Sequence, residues 1–200
     1  MDARPAVGDG VLSQVRAGPL RHVRSTLLCS SVTEIRKHGL FDAYVNGLPR
    51  AAVDVLVHGV AATWLPVEIA EAHYAACDRL GINADEAIRF GATSADRVQH
   101  SFLKTLLLVA RGAGATPLLA FARCPRLWGR HFEGGNVTVT RAGQKDVTVD
   151  IRDFSLARSS FFRHAFRGGN EVALRLFANT VVVRELGSSP TSLVLRMSWV

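Results

Sequence analysis

One pair of side chains in this sequence has a spacing that could bring two reactive groups together. His73 and Cys77 are four residues apart in a segment with helical periodicity, so both side chains lie on one side of the helix. A heme ligand, a metal site or a modifiable thiol would each need such a placement. The alternative is a histidine at the edge of the core beside a buried thiol. We favour this alternative, because a free cysteine behaves as a small hydrophobic residue.

A small set of residues is expected to line any cavity between the helices and the sheet. Most of them are large and apolar, and they come from separate segments, so a cavity that they share would suit a small apolar ligand. The candidate ligand-binding residues are Trp64, His73, Cys77, Phe102, Phe161 and Phe166.

Two groups of arginines could recognise an acidic partner. One surrounds Pro125, with Trp128 and His131 interleaved, and the other forms one side of a late helix. Joined, they would make a positive patch that could grip phosphate or carboxylate groups. Solvated helix faces are the plainer interpretation, and we favour it. The candidate partner-binding residues are Arg123, Arg126, Arg130, Arg163 and Arg167.

Signatures of catalysis are missing from the sequence. The serine pairs Ser159-Ser160 and Ser188-Ser189 have no Gly-x-Ser-x-Gly elbow. The acidic pair Asp85-Glu86 is better explained as the first turn of a helix than as a catalytic pair. The glycine-rich stretches lack the Gly-Lys-Ser/Thr ending of a phosphate loop. We therefore predict no catalytic residue and no metal site, and we expect a protein that is not an enzyme.

Composition indicates a globular chain long enough for a sizeable core. It has 200 residues, of which 48% are hydrophobic and 20% charged, and its net charge is +7. The three cysteines are far apart, so reduced thiols are expected rather than a disulfide scaffold or a zinc site. No apolar run approaches the length of a membrane span, and the first residues do not resemble a signal peptide. We expect a soluble, cytoplasmic protein.

The last third of the chain predicts two β-hairpins separated by one amphipathic helix. Valine alternates with threonine from Val137 onward, and residues 181–183 and 193–199 repeat the period of two. Between the hairpins, apolar residues recur at helical spacing from Phe161 to Phe177. Two glycines, Gly168 and Gly169, interrupt this helix, and they mark either a kink or a close contact with another backbone.

The preceding segments predict helices, including one over 67–80 that carries His73. Asn83 and Glu86 resemble a capping box, and Thr116-Pro117 starts a further helix. Residues 1–19 show no period and predict a flexible arm. The expected fold class is α+β. A single domain over 20–200 has an N-terminal helical layer followed by β-β-α-β-β, which forms an antiparallel four-stranded sheet.

These elements carry a resemblance to known families. The segments "WLP…AEAHYAACDRLGINADEAIRFGA", "LLAFARCPRLWGRHFEGGNVTVT", "SSFFRHAFRGGNEVALRLFANTVVV" and "LRMSW" resemble an uncharacterised family of myxobacterial proteins. The layout is also similar to a ligand-binding superfamily. Its members include heme-nitric-oxide-binding domains, 4-vinyl reductase domains and the small subunits of the Golgi TRAPP tethering complex.

The resemblance implies a sensory or interaction module, often dimeric, with an apolar pocket between helices and sheet. Heme sensors of the superfamily use a histidine on a helix. The residues around His58, His73 and His100 lack the rest of that pattern, so we expect no cofactor, and heme is the alternative that the sequence leaves open. The first functional hypothesis is a non-enzymatic module that binds a small apolar ligand or a protein partner and forms a homodimer. The alternative is an arginine-rich binder of nucleic acid or of an acidic protein.

Overall fold

A layer of helices forms the N-terminal half of the fold. The computed structural model describes residues 10–57, 62–99 and 116–200. Helix α1, Ser25–Lys37, places Leu28 and Ile35 of its apolar side entirely out of solvent. It packs against helix α5, Ala84–Gln99. The helices before the C-terminal unit are α1 Ser25–Lys37, α2 Phe41–Asn46, α3 Arg50–Val57, α4 Val67–Asp78, α5 Ala84–Gln99, α6 Pro117–Ala122 and α7 Cys124–Trp128.

Two antiparallel sheets stand beside this layer. The strands are β1 Val11–Arg16, β2 His22–Arg24, β3 Trp64–Pro66, β4 Phe132–Glu133, β5 Asn136–Gly143, β6 Asp146–Arg152, β7 Val181–Ser189 and β8 Ser192–Trp199. The larger sheet has the strand order β1-β5-β6-β8-β7, and the smaller has the order β3-β2-β4. Helix α8, Ser160–Arg175, lies between β6 and β7 in the chain and follows a short 3-10 turn at Ser155–Arg158.

The α+β class is confirmed, and so are both hairpins and the helix between them. Strand β5 pairs with β6 and β7 pairs with β8. The alternation of the sequence matches the burial, because residues of one parity face the core. This face is formed by Val137, Val139, Val147, Val149, Ile151, Leu193, Leu195 and Met197, all at most 5% exposed.

Two predictions are wrong in one respect each. The sheet has five strands rather than four, and part of the predicted flexible arm is a strand. Val11–Arg16 of that arm forms a fifth strand, antiparallel to β5. It pairs from Val11 opposite Thr140 to Arg16 opposite Asn136, with a register shift between Val11 and Ser13. The strand satisfies backbone groups of β5 that would otherwise form an open edge. The side chain of Asn136 then accepts hydrogen bonds from the amides of Ala17 and Gly18. Residues 1–9 lie outside the described residues.

Glycines allow helices α5 and α8 to come into backbone contact. A Cβ atom at Gly91 would overlap the carbonyl oxygen of Ala165, and one at Gly168 would overlap that of Ile88. Of the two explanations for the paired glycines, close contact is therefore the one observed. At Gly169 the nearest neighbour to such an atom is 3.6 Å away, an ordinary van der Waals distance.

Predicted helix ends coincide with observed caps. The amide of Glu86 donates to Asn83, and the Glu86 carboxylate accepts from the Asn83 amide, which is the reciprocal capping box. Thr116 caps α6, whose first residue is proline. In the part of the chain that the structure describes, no helix has both the length and the apolar character to cross a membrane.

Candidate functional site

The predicted pair His73 and Cys77 lies in the helical layer and includes a third partner. The Tyr44 hydroxyl on α2 is 2.6 Å from His73 Nδ1, and the Cys77 sulfur is 3.8 Å from Nε2. His73 is 0% exposed, and the ring of Tyr74 lies edge-on to it at 4.7 Å. Both ring nitrogens are thus occupied by side chains of the protein. Helical spacing predicted that His73 and Cys77 lie on one side of a helix. It gave no indication of Tyr44, which comes from a distant segment.

Burial keeps every group of this Tyr44–His73–Cys77 chain uncharged. It lowers the pKa of His73 to about 3, so the imidazole is neutral at pH 7. It raises the pKa of the Tyr44 hydroxyl and of the Cys77 thiol well above their ordinary values. A neutral imidazole has one donor and one acceptor, which match the two contacts. The Tyr44–His73–Cys77 chain therefore contains neither a thiolate nor a charged base. It is suited to joining α2 and α4 rather than to nucleophilic catalysis.

The other predicted ligand-binding residues do not gather around His73 in one opening. Phe161 packs edge-on against Phe90, and Phe166 stacks on Phe162, which in turn contacts Tyr74. Through these contacts, the aromatic rings pack against one another in the hydrophobic core. Trp64 lies apart, in the three-stranded sheet, with the Arg24 guanidinium 4.8 Å above its ring. Phe102 lies outside the described residues.

The five predicted partner-binding arginines divide into two kinds. Arg163 and Arg167 are half-buried and act inside the fold, because Arg163 donates to the Ala157 carbonyl at 2.8 Å and Arg167 to that of Val183. Arg163 also pairs with Glu185 at 3.4 Å. These two therefore hold α8 to the sheet and do not extend a basic face. The exposed members are Arg123, Arg126 and Arg130 on and beside α7.

A cleft that sequence reasoning missed opens at the end of β8. Its volume is about 380 Å³, and its walls come from the start of α6, the residues after α8 and the end of β8. We call it the Trp199 cleft. Trp199 is held in place by stacking on Phe121, with ring centroids 5.9 Å apart. The other lining residues are Thr116, Pro117, Leu118, Gln144, Lys145, Phe177, Ala178, Asn179 and Val200.

One feature of the sequence indicates this cleft, namely the alternating apolar pattern that ends at Trp199 of β8. The sequence placed Trp199 on the core side of its strand, and 8% of the residue remains exposed. The opposite wall comes from α6, whose position beside β8 no local pattern predicts. Among the residues that the structure describes, no three His, Cys, Asp or Glu side chains gather as metal ligands.

Solved structures share this arrangement of helices and sheets. A structure described as probing heme distortion in the H-NOX family has a TM-score of 0.56 at 13% identity, over 88% of this chain and 94% of that one. The fold is that of H-NOX domains. No family model matches the sequence, and no curated protein matches it.

Two further H-NOX structures support the same assignment of the fold. An oxygen-binding H-NOX domain related to soluble guanylate cyclases has a TM-score of 0.53 at 13% identity, over 88% of this chain and 94% of that one. The Fe(II) unliganded H-NOX protein from K. algicida has a TM-score of 0.52 at 8% identity, with coverage of 88% and 96%. The predicted similarity to the heme-nitric-oxide-binding superfamily is confirmed as a similarity of fold.

The surroundings of His73 do not fit a heme. Heme iron takes an axial ligand such as a histidine nitrogen, which must be free to point at the metal. Here Nδ1 contacts Tyr44 and Nε2 contacts Cys77, while Tyr74 packs against the ring. An iron atom would have to displace one of these contacts from the core. His58 and His100 lie outside the described residues.

Proposed function

We propose that the chain is a non-enzymatic sensory module that binds a small apolar ligand other than heme in the Trp199 cleft. The observation that carries the proposal is an apolar cleft at a junction of helices and sheet, within a fold shared with H-NOX domains. One of those neighbours is described as binding oxygen. The contacts at His73 argue against that histidine as an axial ligand of heme.

The size and walls of the Trp199 cleft suit such a ligand. Its volume of about 380 Å³ lies within the range of roughly 300–1,000 Å³ typical of small-molecule sites. Trp199, Phe177 and Leu118 supply apolar surface, and Lys145 adds a cation at the rim. A ligand there would touch α6, the segment after α8 and β8 at once. Binding would therefore change how firmly the helices hold to the sheet.

Purified full-length protein provides the first test. Native mass spectrometry and absorbance should show no heme. Titration with decanoate, and with decanol as its uncharged counterpart, should give saturable binding. It is followed by tryptophan fluorescence, to which Trp199 contributes together with Trp64 and Trp128. A Soret band with one iron per chain would overturn the heme-free part of the proposal, and absence of saturation with both probes would overturn the cleft.

Two adjacent leucines give a matched pair of variants. Leu118 lines the cleft, whereas Leu119 is 52% exposed and outside it. Leu118→Arg should weaken probe binding at least about tenfold, because a charged side chain would occupy an apolar wall. Leu119→Arg should bind like the original protein. Equal effects of both substitutions would place the binding elsewhere.

Self-association remains a prediction from the resemblance, which sedimentation of the full chain at several concentrations will test. Nucleic-acid binding receives no support from the structure. Two of the five arginines assigned to it, Arg163 and Arg167, are engaged with the protein's own backbone.

A further inference from the structure

The five-stranded sheet has a second face, opposite to its buried valines, that no described element covers. We call it the outer sheet face. Its side chains are half-exposed or exposed and surround a shallow concavity of about 800 Å³. Along the strands, its residues are Gln14 and Arg16 of β1, Asn136, Thr138 and Thr140 of β5, Thr148, Asp150 and Arg152 of β6, and Val194 and Arg196 of β8.

The charges of this face do not balance. Asp150 pairs with Arg152 at 2.9 Å, and Asp146 pairs with Arg196. Both carboxylates are thereby neutralised within the sheet, and the Asp153 carboxylate at its end contacts the Asn136 side chain. None of the ion pairs among the described residues includes Arg16, Arg141 or Arg184. Arg16 and Arg141 line the concavity, whereas Arg184 lies on β7 opposite Arg196. The face consequently carries more guanidinium groups than carboxylates.

The neutral groups of the face identify the kind of partner. Thr138 and Thr140 lie along β5, and Thr148 lies opposite Thr140 on β6. Their hydroxyls can donate to and accept from a peptide backbone. No aromatic side chain is among the residues of this face that the structure describes, so they offer no stacking platform of the kind that single-stranded nucleic acids use. A second copy would bring like charges together, which opposes docking face to face.

We propose that the outer sheet face binds an acidic, extended segment of a partner protein. Carboxylates of the segment would pair with Arg16, Arg141 and Arg184, and its backbone would lie over the three threonines. Guanidinium groups are well suited to this role because they bind carboxylates through two parallel hydrogen bonds. The face is separate from the Trp199 cleft, so the proposal does not depend on the ligand.

The probe is a fluorescently labelled peptide of alternating glutamate and serine, long enough to cross the sheet, about 20 Å at the usual strand spacing. Full-length protein should bind it at low ionic strength, measured by anisotropy, with affinity that falls as salt rises. A matching peptide of lysine and serine should not bind. Failure of the acidic peptide to bind at low salt would overturn the proposal.

Two charge-matched double variants locate the binding. Arg16→Glu with Arg141→Glu changes the outer sheet face, and Arg123→Glu with Arg126→Glu changes the exposed arginines of α7 by the same net charge. The first should weaken peptide binding at least about tenfold and the second less than about twofold. Equal losses, or a larger loss from the α7 pair, would overturn the assignment. Thermal melting by circular dichroism confirms that each variant folds.

Single-stranded DNA provides the last arm of the experiment. It should bind more weakly than the acidic peptide and with no dependence on Arg16 or Arg141 beyond general charge. DNA that bound more tightly, and lost that binding in the outer-face variant, would replace the proposed protein partner with a nucleic acid.

Discussion

His73 is enclosed by two tyrosines and a thiol, and these surroundings make protonation of its imidazole unfavourable. The charged imidazolium would lie out of contact with solvent, and this burial lowers the pKa of His73 to about 3. In the unfolded chain, a histidine has its ordinary pKa near 6.5. Between these values the unfolded state binds the additional proton, so acid destabilises the fold.

This proton linkage predicts a loss of stability on mild acidification. Stability should fall as pH drops below about 6.5, by about 2 kcal/mol at pH 5 relative to neutral pH. Urea unfolding at several pH values measures it. His73→Gln should remove most of the slope, whereas His38→Gln, on an exposed residue, should not. His131 and His164, whose pKa values burial also lowers, supply a residual slope. Identical slopes for both variants would contradict the prediction.

The two tyrosines beside His73 differ in one hydrogen bond. Tyr44 bonds to Nδ1 at 2.6 Å, whereas Tyr74 contacts the ring by its edge. Tyr44→Phe leaves a buried nitrogen unpaired and should lower the free energy of unfolding by about 1–3 kcal/mol. Tyr74→Phe should cost much less. Chemical denaturation compares them, and equal losses would show that packing, not the hydrogen bond, matters at Tyr44.

What the sequence could predict at this scale was limited to neighbours along one helix. The four-residue spacing put His73 beside Cys77, and the structure confirms their contact. Tyr44 is 29 residues away in sequence, on another helix, and only tertiary packing brings it close. For the same reason, the basic groups Arg163 and Arg167 looked free on a helical wheel, although backbone carbonyls of neighbouring elements bind them.

At the level of the elements, the contact between α5 and α8 depends on glycines, which have no side chain to separate the two backbones. Gly91→Ala and Gly168→Ala should each destabilise the protein by about 3 kcal/mol or more, because a methyl group cannot fit against the facing carbonyl without separating the helices. Gly169→Ala is the control. Its new methyl would meet Ala95 at an ordinary distance, and helix propensity favours alanine by about 1 kcal/mol. Thermal unfolding compares the three variants, and equal changes in their melting temperatures would contradict this account.

Helix α8 also depends on a cap from another element. The Ser159 hydroxyl accepts from the Phe162 amide at 3.1 Å, and Asp78 at the end of α4 accepts from the Phe161 amide at 2.7 Å. Asp78→Ala should cost about 1 kcal/mol. Asp78→Asn, which keeps an acceptor, should restore most of that in urea unfolding. No recovery with Asn would indicate that the negative charge at the helix start matters more than the hydrogen bond.

The element boundaries were predictable where local chemistry determines them. Asn83, Thr116 and the two β-hairpin loops all act within a few residues of themselves. Strand β1 was missed because a six-residue strand at a sheet edge, between Gly10 and Gly18, differs little in composition from a flexible arm. Its pairing energy comes from β5, which lies far along the chain.

For the whole molecule, the N-terminal strand provides a direct test of the revised sheet. Deleting residues 1–17 should expose the backbone of β5, lower the melting temperature and promote association through the open edge. Size-exclusion chromatography and thermal melting measure both effects. A truncated protein that stays equally stable and does not associate would support the flexible arm that the sequence predicted.

The position of β1 also determines the order in which the protein can be completed during synthesis. The tie between Ala17 and Asn136 spans 119 residues, so the first strand leaves the ribosome long before its partner exists. The early helices can assemble meanwhile, because their contacts are nearer in sequence. Strand β1 must then wait, exposed to chaperones and proteases, until β5 has been made.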